Sequence, residues 1–177
     1  MNVIALGASN SKKSINKMLA AYAANLIEGA HIDLLDLNDF EIPLFSEDKE
    51  AKIGQPKLAK NFLAKLELSD AIVVSFAEHN GTYTAAYKNL FDWVSRIKRE
   101  IFHGKPVVHL STSPGPGGAA NVLEAANRSA PYFGADLKGS LSIPSFYENF
   151  DVEKGELKNA DIKQQLLQTI NTLLPST

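Results

Sequence analysis

Five short runs of aliphatic and β-branched residues alternate along this chain with longer stretches of helical period, and that alternation limits the fold more than any other feature. The runs are Val3–Leu6, Ile32–Leu37, Ala71–Phe76, Pro106–Leu110 and Leu137–Ile143. Most lack polar alternation, as do strands covered on both faces of a parallel sheet. Between the first two runs, Ser14–Ile27 places Ile15, Leu19, Tyr22, Ala23 and Leu26 on one stripe, and Gly29 stops the helix. Leu58, Phe62 and Leu66 mark a second helix opened near Pro56. Ala86, Leu90, Trp93, Val94 and Ile97 mark a third, which ends before Gly104-Lys105-Pro106. Gly118–Phe133 holds the fourth, and Asn159–Leu174 the fifth, closed by Pro175. Five strands and five helices in 177 residues predict one doubly wound α/β domain over residues 1–177, with helices on both faces of the sheet.

Composition narrows the partners. Lys and Arg number 18 and Asp and Glu 20, a net charge of −2, which gives no broad electrostatic pull toward nucleic acid or an anionic membrane. Cysteine is absent, which excludes disulfides, thiolate metal sites and a cysteine nucleophile. No apolar run approaches the roughly 20 residues of a membrane span. Met1–Gly7 lacks the basic start and long apolar core of a signal peptide, so a cytoplasmic protein is expected.

Doubly wound sheets bind ligands beyond the carboxyl ends of their strands, which points to the segments 8–13, 77–83 and 111–118. The first carries Ser9, Ser11 and Ser14 into a helix N-terminus, where free N–H groups and the helix dipole favour a phosphate. Asn16 adds an amide donor. The alternative is that Ser14 only caps the helix and the others are solvated turn residues. A Walker A loop would match Gly7, Lys13 and Ser14, but its second glycine is Lys12 here, and the strand at 71–76 has no terminal Asp for magnesium. The dinucleotide fingerprint fails, since only Gly7 is present. A hydroxyl-lined loop suits a terminal monophosphate.

In the second segment Asn80-Gly81 signals a tight turn, and His79 and Tyr83 offer planar surfaces to a ring. Glu78 stands as a single carboxylate without an acid–base partner. In the third, Gly115, Gly117 and Gly118 leave room for a flat ring edge near the main chain, beside Ser113 and two stiffening prolines. A mobile connector is the alternative there.

These loops resemble those of the NADPH-dependent FMN reductase family, flavodoxin-like proteins that include quinone, azo-dye and chromate reductases. The family opens with G-S-x-R-x-x-S-x-N at the flavin phosphate. Here Ser9, Ser14 and Asn16 agree, Ile15 falls between them, Ala8 replaces Gly and Ser11 replaces Arg, with Lys12 and Lys13 the nearby cations. Its middle motif is close to P-E-Y-N-x-S-x-P-G-x-L-K-N-x-x-D-W-x-S-R. Glu78, Asn80, Lys88, Asn89, Asp92, Trp93, Ser95 and Arg96 match in register, while His79 stands for Tyr and Ala77 for Pro. The third motif, S-x-G-x-x-G-G, is met by Ser113–Gly118 with one residue fewer. The resemblance spans roughly Val3 to Ile143.

It implies a five-stranded parallel sheet in the order 2-1-3-4-5 and an FMN site from Ser9, Ser11, Ser14, Ile15, Asn16, Glu78, His79, Asn80, Gly81, Ser113, Gly115, Gly117 and Gly118. It implies NADPH or NADH as hydride donor, a small-molecule acceptor, and a homodimer or dimer of dimers. The chemistry would belong to the flavin, with no catalytic side chain and no metal. Lys88, Asp92 and Arg96, spaced by four, read as ion pairs along one helix face, and Trp93 as core or interface. An FMN electron carrier without turnover and a degenerate P-loop hydrolase are the rival functions. Asn38–Gln55, with Phe40, Ile42, Pro43, Leu44 and Phe45, is a candidate cover for part of the ring face. Ser145–Gly155 carries no readable pattern.

Overall fold

The first expected strand is the innermost but one of a parallel sheet, and its alternating side chains feed two separate cores. The computed structural model describes residues 1–175, so the last two residues of the expected domain, 176 and 177, lie outside the described residues. The elements run β1 (Asn2–Ala8), α1 (Ile15–Asn25), β2 (His31–Leu35), a 3-10 turn (Leu37–Phe40), α2 (Glu47–Ile53), α3 (Lys57–Leu68) and β3 (Ala71–Phe76). A hairpin of β4 (Glu78–His79) and β5 (Thr82–Tyr83) follows, then α4 (Ala85–Ile97), β6 (Pro106–Thr112), α5 (Ala120–Ser129) and a second 3-10 turn (Ala130–Phe133). The chain closes with β7 (Asp136–Ile143), α6 (Phe146–Asn149), a hairpin of β8 (Phe150–Asp151) and β9 (Glu156–Leu157), and α7 (Ala160–Asn171).

The main sheet has the order β2-β1-β3-β6-β7, with every pairing parallel. Its five strands are the five apolar runs, so the expected order 2-1-3-4-5 is met. Val3 and Ala5 of β1 pack with Leu19, Ala23 and Ile170 under α1 and α7. Ile4 and Leu6 pack with Phe62, Leu90 and Val122 under α3, α4 and α5. β3 is buried at all six positions, which explains its unbroken apolar run, whereas the edge strand β7 alternates. Among the described residues no helix is long and apolar enough to cross a membrane.

Several boundaries differ from those the sequence suggests. The second strand stops at Leu35 because the Asp36 carboxylate accepts the N–H of Asn38 at 2.9 Å and turns the chain into a 3-10 helix. The fourth helix is shorter than Gly118–Phe133, since Ala119 in the left-handed region precedes it and the Pro131-containing turn follows it. α2 has no counterpart in the apolar pattern. Ser46 caps it and Gly54, at φ 67°, ends it, but it buries no residue, so periodicity gives no sign of it.

Candidate functional site

A cavity of about 230 Å³ opens at the carboxyl ends of β1, β3 and β6, where the three loops meet. Of the expected site residues, Ser9, Ser11, Ser14, Ile15, Asn16, Glu78, His79 and Ser113 line it. Lys13, Ala77, Thr112, Pro114 and Tyr147 also line it. Asn80, Gly81, Gly115, Gly117 and Gly118 do not.

The first loop is held close to the strand end. A Cβ on Gly7 would stand 2.4 Å from the backbone nitrogen of Lys17, so only glycine lets α1 pack this tightly against β1. The Ser14 hydroxyl accepts the N–H of Lys17 at 3.1 Å, which is the capping role weighed above. The Ser9 hydroxyl accepts the N–H of Ser11 at 3.2 Å. Each hydroxyl keeps its own hydrogen for a ligand. The N–H groups of Ile15 and Asn16, first in the helix, have no carbonyl partner within it. Lys13 supplies a positive charge at the cavity, whereas Lys17 pairs with Asp36, whose carboxyl it holds below the usual carboxylate range. This donor set fits a terminal phosphate.

Asn16 has a different place from that of a phosphate donor. Its Oδ1 accepts the Ser75 hydroxyl at 2.7 Å and the Thr112 N–H at 3.1 Å, and its Nδ2 donates to the Thr112 carbonyl at 3.1 Å. The side chain, 2% exposed, ties α1 to the ends of β3 and β6. Long-range polar pairing of this kind leaves no periodic trace in sequence.

Glu78 is likewise tied down. Its carboxylate accepts the N–H of Val122 at 2.9 Å and Asn121 Nδ2 at 3.4 Å, so it caps α5 from across the site. Asn80 at φ 53° and Gly81 at φ 78° form the tight turn of the β4–β5 hairpin, and both are exposed beyond the cavity. Thr84 fixes the hairpin's far end, its hydroxyl donating to the Ala8 carbonyl at 2.9 Å.

The room expected at Gly118 is filled. With φ 57°, it lies against β7, and a Cβ there would meet the Ser142 hydroxyl at 2.4 Å. Its carbonyl accepts the hydroxyls of Ser111 and Ser142. Gly115 and Gly117 have open space around their Cα atoms but sit outside the cavity lining. The Gly115 carbonyl accepts the N–H of Ser145 at 2.9 Å, and the Ser113 carbonyl that of Phe146 at 3.0 Å. Those bonds dock α6, and α6 presents Tyr147 to the cavity. Tyr147 lies in the segment without pattern, and nothing in the sequence singles it out.

The third-helix motif is largely structural. Trp93 is fully buried, and its indole N–H donates to the Pro43 carbonyl at 2.8 Å. Asn89 donates to the Ile42 and Pro43 carbonyls and accepts the Phe45 N–H at 2.8 Å. Lys88 and Asp92 form the expected ion pair at 2.6 Å, but Arg96 turns to Glu50 of α2, at 2.9 Å. The strap at 42–45 therefore lies along α4. It borders a neighbouring recess of about 320 Å³ with Asn10, Phe40 and Leu44, outside the loop-lined cavity.

Residues 1–145 match the model of a family described as NADPH-dependent FMN reductase. The chain is 28% identical over 175 residues to an NAD(P)H-dependent FMN reductase of Pseudomonas aeruginosa, covering 96% of this chain and 93% of that one. It is 30% identical over 183 residues to an NADPH:quinone oxidoreductase of Arabidopsis thaliana, covering 98% and 90%. In fold it resembles the flavoenzyme NAD(P)H:(acceptor) oxidoreductase FerB of Paracoccus denitrificans, with a TM-score of 0.76 at 24% identity over 97% of this chain and 94% of that chain.

Proposed function

Because the chain belongs to the NADPH-dependent FMN reductase family, whose members are oxidoreductases that use FMN with NAD(P)H as electron donor, we propose that residues 1–177 form one FMN-binding reductase domain. Its reaction passes a hydride from NADPH or NADH to a small acceptor such as a flavin, a quinone, an azo compound or a metal oxyanion. The observation that carries this is the meeting of a hydroxyl-rich helix N-terminus with residues 77–79 and 112–114 of the other two loops at one cavity.

FMN, when bound, would supply the redox chemistry. The chain's own task is to bind and orient. Ser9, Ser14, Lys13 and the first N–H groups of α1 hold the phosphate, with Ser11 beside them. Ala77–His79, Ser113–Pro114 and Tyr147 of α6, which line the same cavity, would hold the ring. Asn16 and Glu78 keep those walls in register through bonds to β6 and α5. Rigid walls lower the entropy lost on binding.

A homodimer or dimer of dimers and a cytoplasmic location complete this reading. Sedimentation velocity tests the first. The decisive experiment is an anaerobic absorption spectrum of the purified protein before and after NADPH or NADH. A flavin band that bleaches, followed by reoxidation with a quinone, is expected. Failure to bind FMN in equilibrium dialysis would overturn the site.

A further inference from the structure

Tyr147 lies beyond residues 1–145, the stretch that the family model matches, and lines the loop-lined cavity all the same. Among the described residues that line this cavity it is the one Tyr or Trp. Tyr83 and Tyr87 line a separate cavity beside α4, and the indole of Trp93 is fully buried and bonded to the strap at 42–45.

The Tyr147 ring stands on a fixed base. Ser145, at φ 46°, turns the chain into α6. Its N–H donates to the Gly115 carbonyl at 2.9 Å, and that of Phe146 to the Ser113 carbonyl at 3.0 Å. Phe146 is fully buried, stacks on Phe150 with ring centroids 4.7 Å apart, and meets Tyr147 edge-on at 5.4 Å. From just beyond β9, Lys158 Nζ donates to the Tyr147 carbonyl at 3.0 Å. The backbone and the neighbouring ring are thus held, whereas Tyr147 itself is 58% exposed. Because α6 is bonded to the third loop, a flat ring held by Ser113–Pro114 is set beside Tyr147.

Resting on the FMN reading above, we propose that Tyr147 stacks on the isoalloxazine ring and lowers the reduction potential of the bound cofactor. Aromatic rings that meet face to face or edge to face gain more than burial alone, through the charge distribution of their π systems. The phenol is electron-rich. It attracts the electron-poor oxidised ring more than the reduced one, which has gained two electrons and two protons. FMN held against Tyr147 is therefore a stronger reductant toward an acceptor than FMN in the same cavity without it.

The test uses the full chain as wild type, Tyr147→Phe and Tyr147→Leu, with melting temperatures to show that each is folded. FMN is titrated into each while its fluorescence is read, and the midpoint potential of each complex is then measured spectroelectrochemically at pH 7. In the wild type, bound FMN should lose most of its emission, since the phenol gives an electron to the excited flavin on contact and takes it back. Tyr147→Phe keeps a stacking ring but not the easily oxidised phenol, so emission should return while affinity stays within about twofold. Tyr147→Leu should also restore emission, and should weaken oxidised FMN about tenfold but reduced FMN only about threefold. That difference raises the midpoint potential by about 15 mV for a two-electron couple. Bound FMN as bright as free FMN in the wild type would overturn the stacking. So would a Tyr147→Leu complex with the wild-type emission, affinity or potential, or a Tyr147→Phe variant that loses as much affinity as Tyr147→Leu, which would make the hydroxyl the contact. A wild type that binds no FMN at all would instead overturn the reading of the cavity, and this inference with it.

Discussion

The carboxylate of Glu78 accepts the N–H of Val122 at 2.9 Å, so the residue just beyond β3 closes the first turn of α5. Two loops that flank the candidate flavin cavity are thereby held to one helix. Glu78→Ala should lower stability by about 1 kcal/mol, as loss of a helix cap does, read as a lower urea midpoint with an unchanged slope. Glu78→Gln keeps an acceptor and should recover most of it. An alanine variant as stable as the parent would remove the capping role.

Asn16 carries a heavier load, because both ends of its amide are bonded inside the protein. Asn16→Ala strands the buried Thr112 N–H and the Ser75 hydroxyl, and should cost about 2–3 kcal/mol. Amide hydrogen exchange at Thr112 should rise with it. Exchange unchanged at that position would show that another group takes over the bond.

Lys13 is exposed and lies on the cavity, so its removal separates binding from folding. Lys13→Ala should raise the FMN dissociation constant about three- to tenfold, through loss of one charge-assisted contact, and leave the melting temperature in place. Fluorescence quenching of FMN gives the constant. An unchanged constant would remove Lys13 from the phosphate site.

Burial depresses the pKa of His109 from 6.5 to about 4. Between those values the unfolded chain binds a proton that the folded chain does not, so stability falls as pH is lowered from 6.5 toward 4 and levels off below. The slope should reach about 1.4 kcal/mol per pH unit from this group. Urea unfolding at pH 7, 6 and 5 measures it, and His109→Phe should flatten the curve. A wild-type profile with the same slope as the variant's would show that His109 is not the source.

Trp93 anchors the strap at 42–45 through the Pro43 carbonyl and its edge-on contact with Phe45 at 5.1 Å. Trp93→Phe leaves a gap and removes one of the two donors to the Pro43 carbonyl, the other being Asn89, and should cost about 1–3 kcal/mol. Proteolysis should then begin within residues 42–46. Cleavage elsewhere would indicate that Asn89 alone holds the strap.

How much of this was legible in the sequence follows from what leaves a local trace. Burial of one helix stripe or of both faces of a strand repeats every few residues, so the alternation of runs and periods determined the sheet, its layers and the three loops that meet at its carboxyl edge. The Asn80-Gly81 turn and the Ser14 cap were legible for the same reason, each being a bond between near neighbours. α2 left no such trace, since it buries nothing and rests on its caps. Tertiary structure alone decided that Glu78 would cap a helix 44 residues away, that Asn16 would join a strand 96 residues away, and that Tyr147 would be delivered to the cavity by a helix docked on the third loop. Such partners meet only when the sheet has formed, and a single polar bond across it imposes no spacing on the residues around either end.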